Sequence, residues 1–408
     1  MSWEAIRKYK MKTVCFIFET PVYINMRKLC LLDNIKKAGY NLILCDISYV
    51  VNRIGYEQNT EGLLDKNYCE LHRLKTKKEI KDFILQLRKP VVVISRIQWS
   101  PKTYTIFNLM EKRSIIYGYM SLNEYNDAFV DKNYKKNKIK SHIKYSPKRL
   151  ANALFVRIPH KILLKSGASF VITNTKERAV MYKERYTAND KTEILLLHSN
   201  VYEEALNIRN ENRLVEDKYC VWLDTYTPYH TDGYAVGAHV DPERYYSSLR
   251  KFFTEIENAY GIKVVVAAHP KANYKLHKDA YEGFEIISNN TCLICRDAEF
   301  AMTCISMSMM YPLLYNKPML FIIQDALIEG GLKLHIAGAH YLADMFRCKV
   351  INIDHVNFRK NMIDEALKID KNLYTKKIKE WIKSDYSGRI DGESCEEQLF
   401  DLFERYLQ

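Results

Sequence analysis

The chain has 408 residues, 47% of them hydrophobic and 27% charged, with no low-complexity stretch and no repeat at a solenoid period. That excludes a disordered chain or a repeat array and implies a globular protein of two domains. Lys and Arg outnumber Asp and Glu by 62 to 49, a net charge of +13, which favours anionic partners or, more plainly, gives a solvated basic surface.

The first half alternates apolar runs with helical spacing. Val14–Phe18 is a buried strand ending at Glu19-Thr20-Pro21. Met26–Ala38 carries Leu29, Leu32, Ile35 and Ala38 at helical spacing, and Gly39 stops it. Asn41–Asp46 is a second strand, Lys77–Arg88 a helix and Val91–Ser95 a third strand; Ile115–Tyr117 and Phe170–Thr173 are shorter ones. Strand and helix in alternation predict a parallel sheet covered on both faces.

Residues 131–149 break the pattern with Lys132, Lys135, Lys136, Lys138, Lys140, Lys144, Lys148 and Arg149, interleaved with Tyr134 and Tyr145. Cations that hold phosphates and rings that stack bases suit nucleic acid. The same cluster suits an anionic membrane face, and a solvated loop is the plain alternative. No recognisable nucleic-acid motif accompanies it, so no nucleic-acid partner is expected.

Polar residues around Asn207–Arg213 mark a linker, placed at 206–218 between a first domain, 1–205, and a second, 219–385. Alternation restarts with the strand Tyr219–Asp224. The helix Pro242–Tyr260 and the strands Lys263–Ala268, Phe284–Ile287, Phe300–Thr303 and Pro318–Ile323 follow. A terminal segment, 386–408, has Leu399, Leu402, Phe403 and Tyr406 at helical spacing and is expected to pack back on the first domain. Two α/β halves predict a central cleft, where ligands commonly bind.

No apolar run reaches the roughly 18–20 residues that span a bilayer, and the N-terminus has no long apolar signal core. A cytoplasmic protein, at most peripheral to the inner face of the membrane, is expected. The ten cysteines are scattered, several within apolar runs. Cys292 and Cys295 form a lone Cys-x-x-Cys without a second pair, so two small residues on one helix face are expected there rather than zinc ligands.

Four positions can carry chemistry. His269-Pro270-Lys271 follows the strand Val264–Ala268, at the carboxyl edge where such sheets bind ligands. Pro270 restrains His269, whose ring can donate to a phosphate while Lys271 adds charge. Thr303, Ser306 and Ser308 stand at a strand-to-helix turn, where hydroxyls and free N–H groups cradle a phosphate or simply cap the helix. Asp224 and His230 follow the first strand of the second half. Either can transfer a proton or bind a donor, and Asp224 can equally cap its turn. His198, in Leu195–Glu203, is placed toward the hinge.

Together these motifs resemble a family of bacterial surface-carbohydrate biosynthesis proteins. They run strand–Leu-Asp-x-x-x-Pro-x-His (223–230), strand–Ala-Ala-His-Pro-Lys (267–271), Thr-x-x-Ser (303–306) and Asn-Lys-Pro (316–318). Ile194–Glu203 resembles the segment closing that family's first domain. The family is similar in its motifs to GT-B transferases of sialyl and Kdo type, in which a His-Pro and a later Ser/Thr motif bind the phosphate of a CMP-sugar. The resemblance implies two Rossmann-like domains and a nucleotide-sugar donor. His269 and Pro270 take the first role, and Thr303, Ser306 and Ser308 the second. It spans roughly residues 190–325. The acidic pair before Gly that serves those enzymes as base is not reproduced: Thr231-Asp232-Gly233 lacks the first acid and falls in the second half.

The expected reaction is inverting transfer of a nonulosonic-acid or Kdo-type sugar from CMP to a surface-polysaccharide or lipid-linked acceptor. Glu19 and Asp224 are alternative bases. No Asp-x-Asp occurs, so no metal or other cofactor is expected, and helix N-termini and basic side chains would stabilise the leaving phosphate. A nucleotide-sugar epimerase and a polyol-phosphate transferase are the alternatives on the same fold.

Overall fold

Apolar runs of five or six residues, too short for helices and buried along their length, make up most of the strands of two parallel sheets. The computed structural model describes residues 12–52, 62–123, 155, 158, 160–230, 237–384 and 388–408. The basic segment 131–149 and Thr231-Asp232-Gly233 lie outside them. The chain divides into two units, Met1–Asn200 with Lys383–Gln408, and Val201–Ile382.

The first unit holds strands β1 (Thr13–Phe18), β2 (Asn41–Asp46), β3 (Glu70–Arg73), β4 (Val91–Arg96), β5 (Ile116–Ser121), β6 (Phe170–Thr173) and β7 (Glu193–Leu196). Their order is 3-2-1-4-5-6-7, and every pairing is parallel. Residue alternation sends Val14, Phe16 and Phe18 into one core and Cys15 and Ile17 into the other. The helix Lys77–Gln86 covers the second core with Ile80, Phe83 and Ile84. Its start is a reciprocal cap: Thr76 accepts from the Glu79 N–H at 3.1 Å and Glu79 accepts from the Lys75 N–H at 2.7 Å. The C-terminal helix Glu396–Tyr406 covers the first core with fully buried Leu399, Leu402 and Phe403, each contributing roughly 1.5–3 kcal/mol.

The second unit holds β8 (Tyr219–Leu223), β9 (Lys263–Ala267), β10 (Glu285–Ile287), β11 (Ala301–Thr303), β12 (Met319–Ile323) and β13 (Val350–Asn352). The order 10-9-8-11-12-13, all parallel, repeats the pattern of the first sheet. The helix Pro242–Tyr260 packs Leu249, Phe252, Phe253 and Ile256 against Cys220, Trp222, Val264 and Val266. Asp241 caps it by accepting from Glu243 N–H at 3.0 Å, and Gly261 at φ +62° ends it.

Two local expectations differ from the structure, and one strand has no counterpart among the expected ones. Met26–Ala38 is two short helices, Met26–Leu29 and Leu32–Lys37, because Leu31 adopts φ +51°, which an α-helix cannot contain. The bend turns Cys30, Leu31 and Leu32 into the core. The chain passes between units at Asn200/Val201 and Ile382/Lys383, so residues 206–218 fall within the second unit. There Arg296 donates to the carbonyls of Ile208 and Glu211 at 3.1 and 2.9 Å, tying the polar stretch down. The third strand edge, β3, is half exposed and lacks an apolar run, which is why periodicity does not reveal it.

Candidate functional site

In each sheet the strand order reverses beside its first strand, between β1 and β4 and between β8 and β11. Ligands of open α/β sheets bind at the carboxyl ends of the strands flanking such a point. Six of the ten expected site residues end β11 or follow β8, β9 or β11 within four residues at this edge of the second sheet: Thr303 is the last residue of β11, and Asp224, His269, Pro270, Lys271 and Ser306 follow the strands. His230 and Ser308 stand slightly further along the same loops.

Asp224 is buried at 3% exposure, and each carboxylate oxygen accepts two hydrogen bonds. Oδ1 takes the Tyr226 N–H at 2.8 Å and the Tyr281 hydroxyl at 3.0 Å. Oδ2 takes the His269 N–H at 3.1 Å and the Tyr274 hydroxyl at 2.6 Å. Burial raises its pKa, and the four donors pull against that rise. The carboxylate thus fastens the turn after β8 to the loop after β9. Tyr226 is held at φ +53° in that turn.

The same loop orients His269. Its Nδ1 accepts from the Lys271 N–H at 3.2 Å, which leaves the ring proton on Nε2. Burial, then the neighbouring His230 and Lys271, push its pKa down to about 3. A neutral imidazole with an Nε2–H donor is the result, and positive charge comes from Lys271 beside it. His230 meets His269 edge to face, ring centroids 4.9 Å apart. Pro270 is exposed between His269 and Lys271.

Register pairs Met302 of β11 with Trp222 of β8, so Thr303 stands level with Leu223 and next to Asp224 along the edge. Thr303 is fully buried, and its Oγ1 has no hydrogen-bond partner among the described residues. Ser306 Oγ accepts from the Ser308 N–H at 3.2 Å and caps the short 3-10 turn Met307–Met309. The capping geometry is therefore present, with both serines half-buried. Cys292 and Cys295 are buried on the helix Thr291–Asp297, Cys292 Sγ lying 3.4 Å from the Tyr315 hydroxyl.

Glu19 and His198 belong to the first unit. Glu19 directly follows β1, and its Oε2 accepts from the Gln98 N–H, just past β4, at 3.1 Å. That bond bridges the reversal point of the first sheet. Burial raises the Glu19 pKa, opposed by the Gln98 N–H and by Lys102 and Arg96. His198 is buried, its N–H donating to Cys395 Sγ at 3.3 Å beside the C-terminal helix. Burial pushes its pKa down to about 4.

Tyr274, Tyr281, Gln98, Arg96 and Lys102 were not legible as site residues. Their only sequence signal is position near a strand end, and for the tyrosines a loop unusually rich in rings.

No protein-family signature and no curated protein sequence matches the chain. Solved structures do. The wall teichoic acid polymerase TagF matches with a TM-score of 0.57 at 13% identity, over 99% of this chain and 91% of that one. The calicheamicin glycosyltransferase CalG4 matches with a TM-score of 0.52 at 9% identity, over 98% of both chains. A UDP-GlcNAc 2-epimerase of Methanocaldococcus jannaschii, in complex with UDP-GlcNAc and UDP, matches at 0.46 and 13% identity, over 97% of this chain and 100% of that one. A score that low has no bearing on function. At such identities the first two likenesses establish architecture: the chain has the GT-B fold of two Rossmann-like domains.

Proposed function

We propose that the protein is a nucleotide-sugar-dependent glycosyltransferase whose second unit holds the donor and whose first unit holds the acceptor. The carrying observation is His269, a neutral imidazole with its proton on Nε2, next to Lys271 at the carboxyl edge of the second sheet. Such a pair supplies a directed donor and a cation to a phosphate oxygen. The GT-B fold shared with a teichoic acid polymerase and a glycosyltransferase supports the reading. The motif resemblance adds the finer proposal of a CMP-linked nonulosonic-acid or Kdo-type sugar and a surface-polysaccharide or lipid-linked acceptor.

Glu19 is the base in this proposal. Asp224 has four donors on its two oxygens and serves as an anchor. Glu19 takes the proton of an acceptor hydroxyl, whose oxygen attacks the anomeric carbon. The bond from that carbon to the phosphate oxygen breaks, and the nucleotide leaves with the electron pair. His269, Lys271 and the Ser306–Ser308 turn stabilise the departing phosphate, without a metal, and a single displacement inverts the anomeric centre. Residues 131–149 are assigned to contact with an anionic membrane at the cytoplasmic face.

A thermal-shift screen of CMP, UDP, GDP, their sugars and a CDP-linked polyol tests this. A nucleotide at 100 times its Kd stabilises the native state by about 2.7 kcal/mol. His269→Ala should abolish the response, and a retained response would overturn the phosphate assignment. Silence toward every nucleotide would sink the transferase reading.

A further inference from the structure

We infer that the carboxyl ends of β11 and β12 read hydroxyl groups of the donor, with the Gln324 side-chain amide and the Thr303 hydroxyl as the readers. This rests on the transferase reading for the word donor, but the two polar groups are set by the second unit alone.

Strand order puts both residues at the edge that carries His269. β11 lies just across the reversal point from β8, and β12 lies beside β11. Thr303 ends β11 and stands level with Phe321, and Gln324 directly follows β12, three residues past that level. The pair therefore lines two levels of one edge, as suits a ligand that carries several hydroxyls along its length.

Gln324 is held by its neighbours rather than by its own amide. It stands at the N-cap of the short helix Asp325–Glu329 in extended backbone, φ −151° and ψ 159°, without a capping bond from its side chain. The next residue fastens this turn to the loop after β13. Asp325 N–H donates to Asp354 Oδ2 at 2.7 Å, and Asp325 Oδ1 accepts from Asn352 Nδ2 at 3.0 Å and from His355 Nε2 at 2.9 Å. Gln324 is 3% exposed, and its Oε1 is enclosed without a hydrogen-bond partner among the described residues. The fully buried Thr303 Oγ1 is in the same state. Enclosing an unpaired carbonyl or hydroxyl is unfavourable, and native structures rarely keep one that neither protein, water nor ligand meets.

The chemistry of the pair selects the group that meets it. An amide carbonyl only accepts, so a phosphate oxygen, which also only accepts, cannot satisfy it. Turned over, the amide presents a donor of the same shape. A hydroxyl both donates and accepts, so it matches the amide in either orientation and Thr303 in either role. On a sugar nucleotide such hydroxyls belong to the ribose or to the transferred sugar.

Thermal unfolding and calorimetric titration of the full chain test the inference. The probes are CMP, UMP and GMP, their 2′- and 3′-deoxy forms, CMP-N-acetylneuraminate, UDP-N-acetylglucosamine and the nucleobase-free ribose 5-phosphate. Gln324→Met and Thr303→Val keep the shape and remove the unpaired atoms. Without ligand, each variant should melt about 2 °C or more above the wild type, because an enclosed polar atom is gone. A structural hydrogen bond or a bound water would give the opposite sign. With ligand, Gln324→Met should lose affinity by about five- to fiftyfold, the size of a hydrogen bond to a buried group. If ribose supplies the hydroxyl, the wild type prefers a ribonucleotide to its deoxy forms and Gln324→Met does not. If the transferred sugar supplies it, the wild-type preference for a sugar nucleotide over the bare nucleotide is what disappears. A melting temperature of unliganded Gln324→Met at or below the wild-type value, or both preferences unchanged in that variant, would overturn the inference. Silence toward every nucleotide would instead remove the transferase reading, and the hydroxyl site would then stand only if ribose 5-phosphate binds and loses affinity in Gln324→Met.

Discussion

Asp224→Asn separates an anchor from a base. The substitution keeps shape but turns one acceptor oxygen into an NH2 group. In one orientation that group faces the Tyr226 N–H and the Tyr281 hydroxyl, in the other the His269 N–H and the Tyr274 hydroxyl. A phenol can rotate and accept from the amide, whereas a backbone N–H cannot. Whichever way the side chain turns, one buried N–H is left opposite a donor, at a cost of roughly 1–3 kcal/mol. The surviving bonds also lose their charge assistance, partly offset because a buried charge is gone. The expected loss is about 2–4 kcal/mol, read as a lower urea midpoint at unchanged slope. Trp222 is a suitable reporter, since its indole N–H donates to the Tyr281 hydroxyl at 2.8 Å. The nucleotide response should weaken as well, because the His269 backbone is released. Full stability and full nucleotide binding with turnover abolished would refute the anchor and make Asp224 the base.

Other consequences follow from burial and packing. His198 has a folded pKa of about 4 against an ordinary value of 6.5, so the unfolded chain takes the proton first. Stability is then fully present above pH 6.5 and is lost as pH falls toward 4. Between pH 7.5 and 5.5 the loss from this residue is about 1.4 kcal/mol, and His198→Asn should remove that slope from the urea stability of the first unit. Gly118→Ala puts a Cβ 2.4 Å from both the ring and the carbonyl of Phe170 on the neighbouring strand. The backbone carbonyl cannot yield, so a loss of about 1–3 kcal/mol is expected, measured as a lower melting temperature. An unchanged melting temperature would mean that β5 and β6 are not paired in this register.

Local pattern carried much of the architecture. Val14–Phe18, Asn41–Asp46, Val91–Ser95, Tyr219–Leu223 and Val264–Ala267 lie in strands because each is an apolar run long enough for a sheet buried on both faces. Weak edges escaped this reading: β3 is Glu-Leu-His-Arg, with no residue fully buried, and β13 has three residues. Leu31 escaped for another reason. Its left-handed backbone is imposed by the core it turns toward, and helical spacing on either side hides the break.

The candidate site divides along the same line. That His269-Pro270-Lys271 and Asp224 follow strands, and hence stand at a carboxyl edge, is legible from the local pattern alone, because in a parallel sheet every strand ends on the same side. Which of these strand ends adjoin is set by the folded chain. Glu19 and Gln98 are 79 residues apart, and Asp224 and Tyr281 are 57 apart. Each pair meets because of strand order and loop path, which place chain segments beside one another through contacts that no local window contains. The tautomer of His269 and the four donors on Asp224 belong to that second kind of fact, since both depend on N–H groups whose directions are set only when the loops are closed.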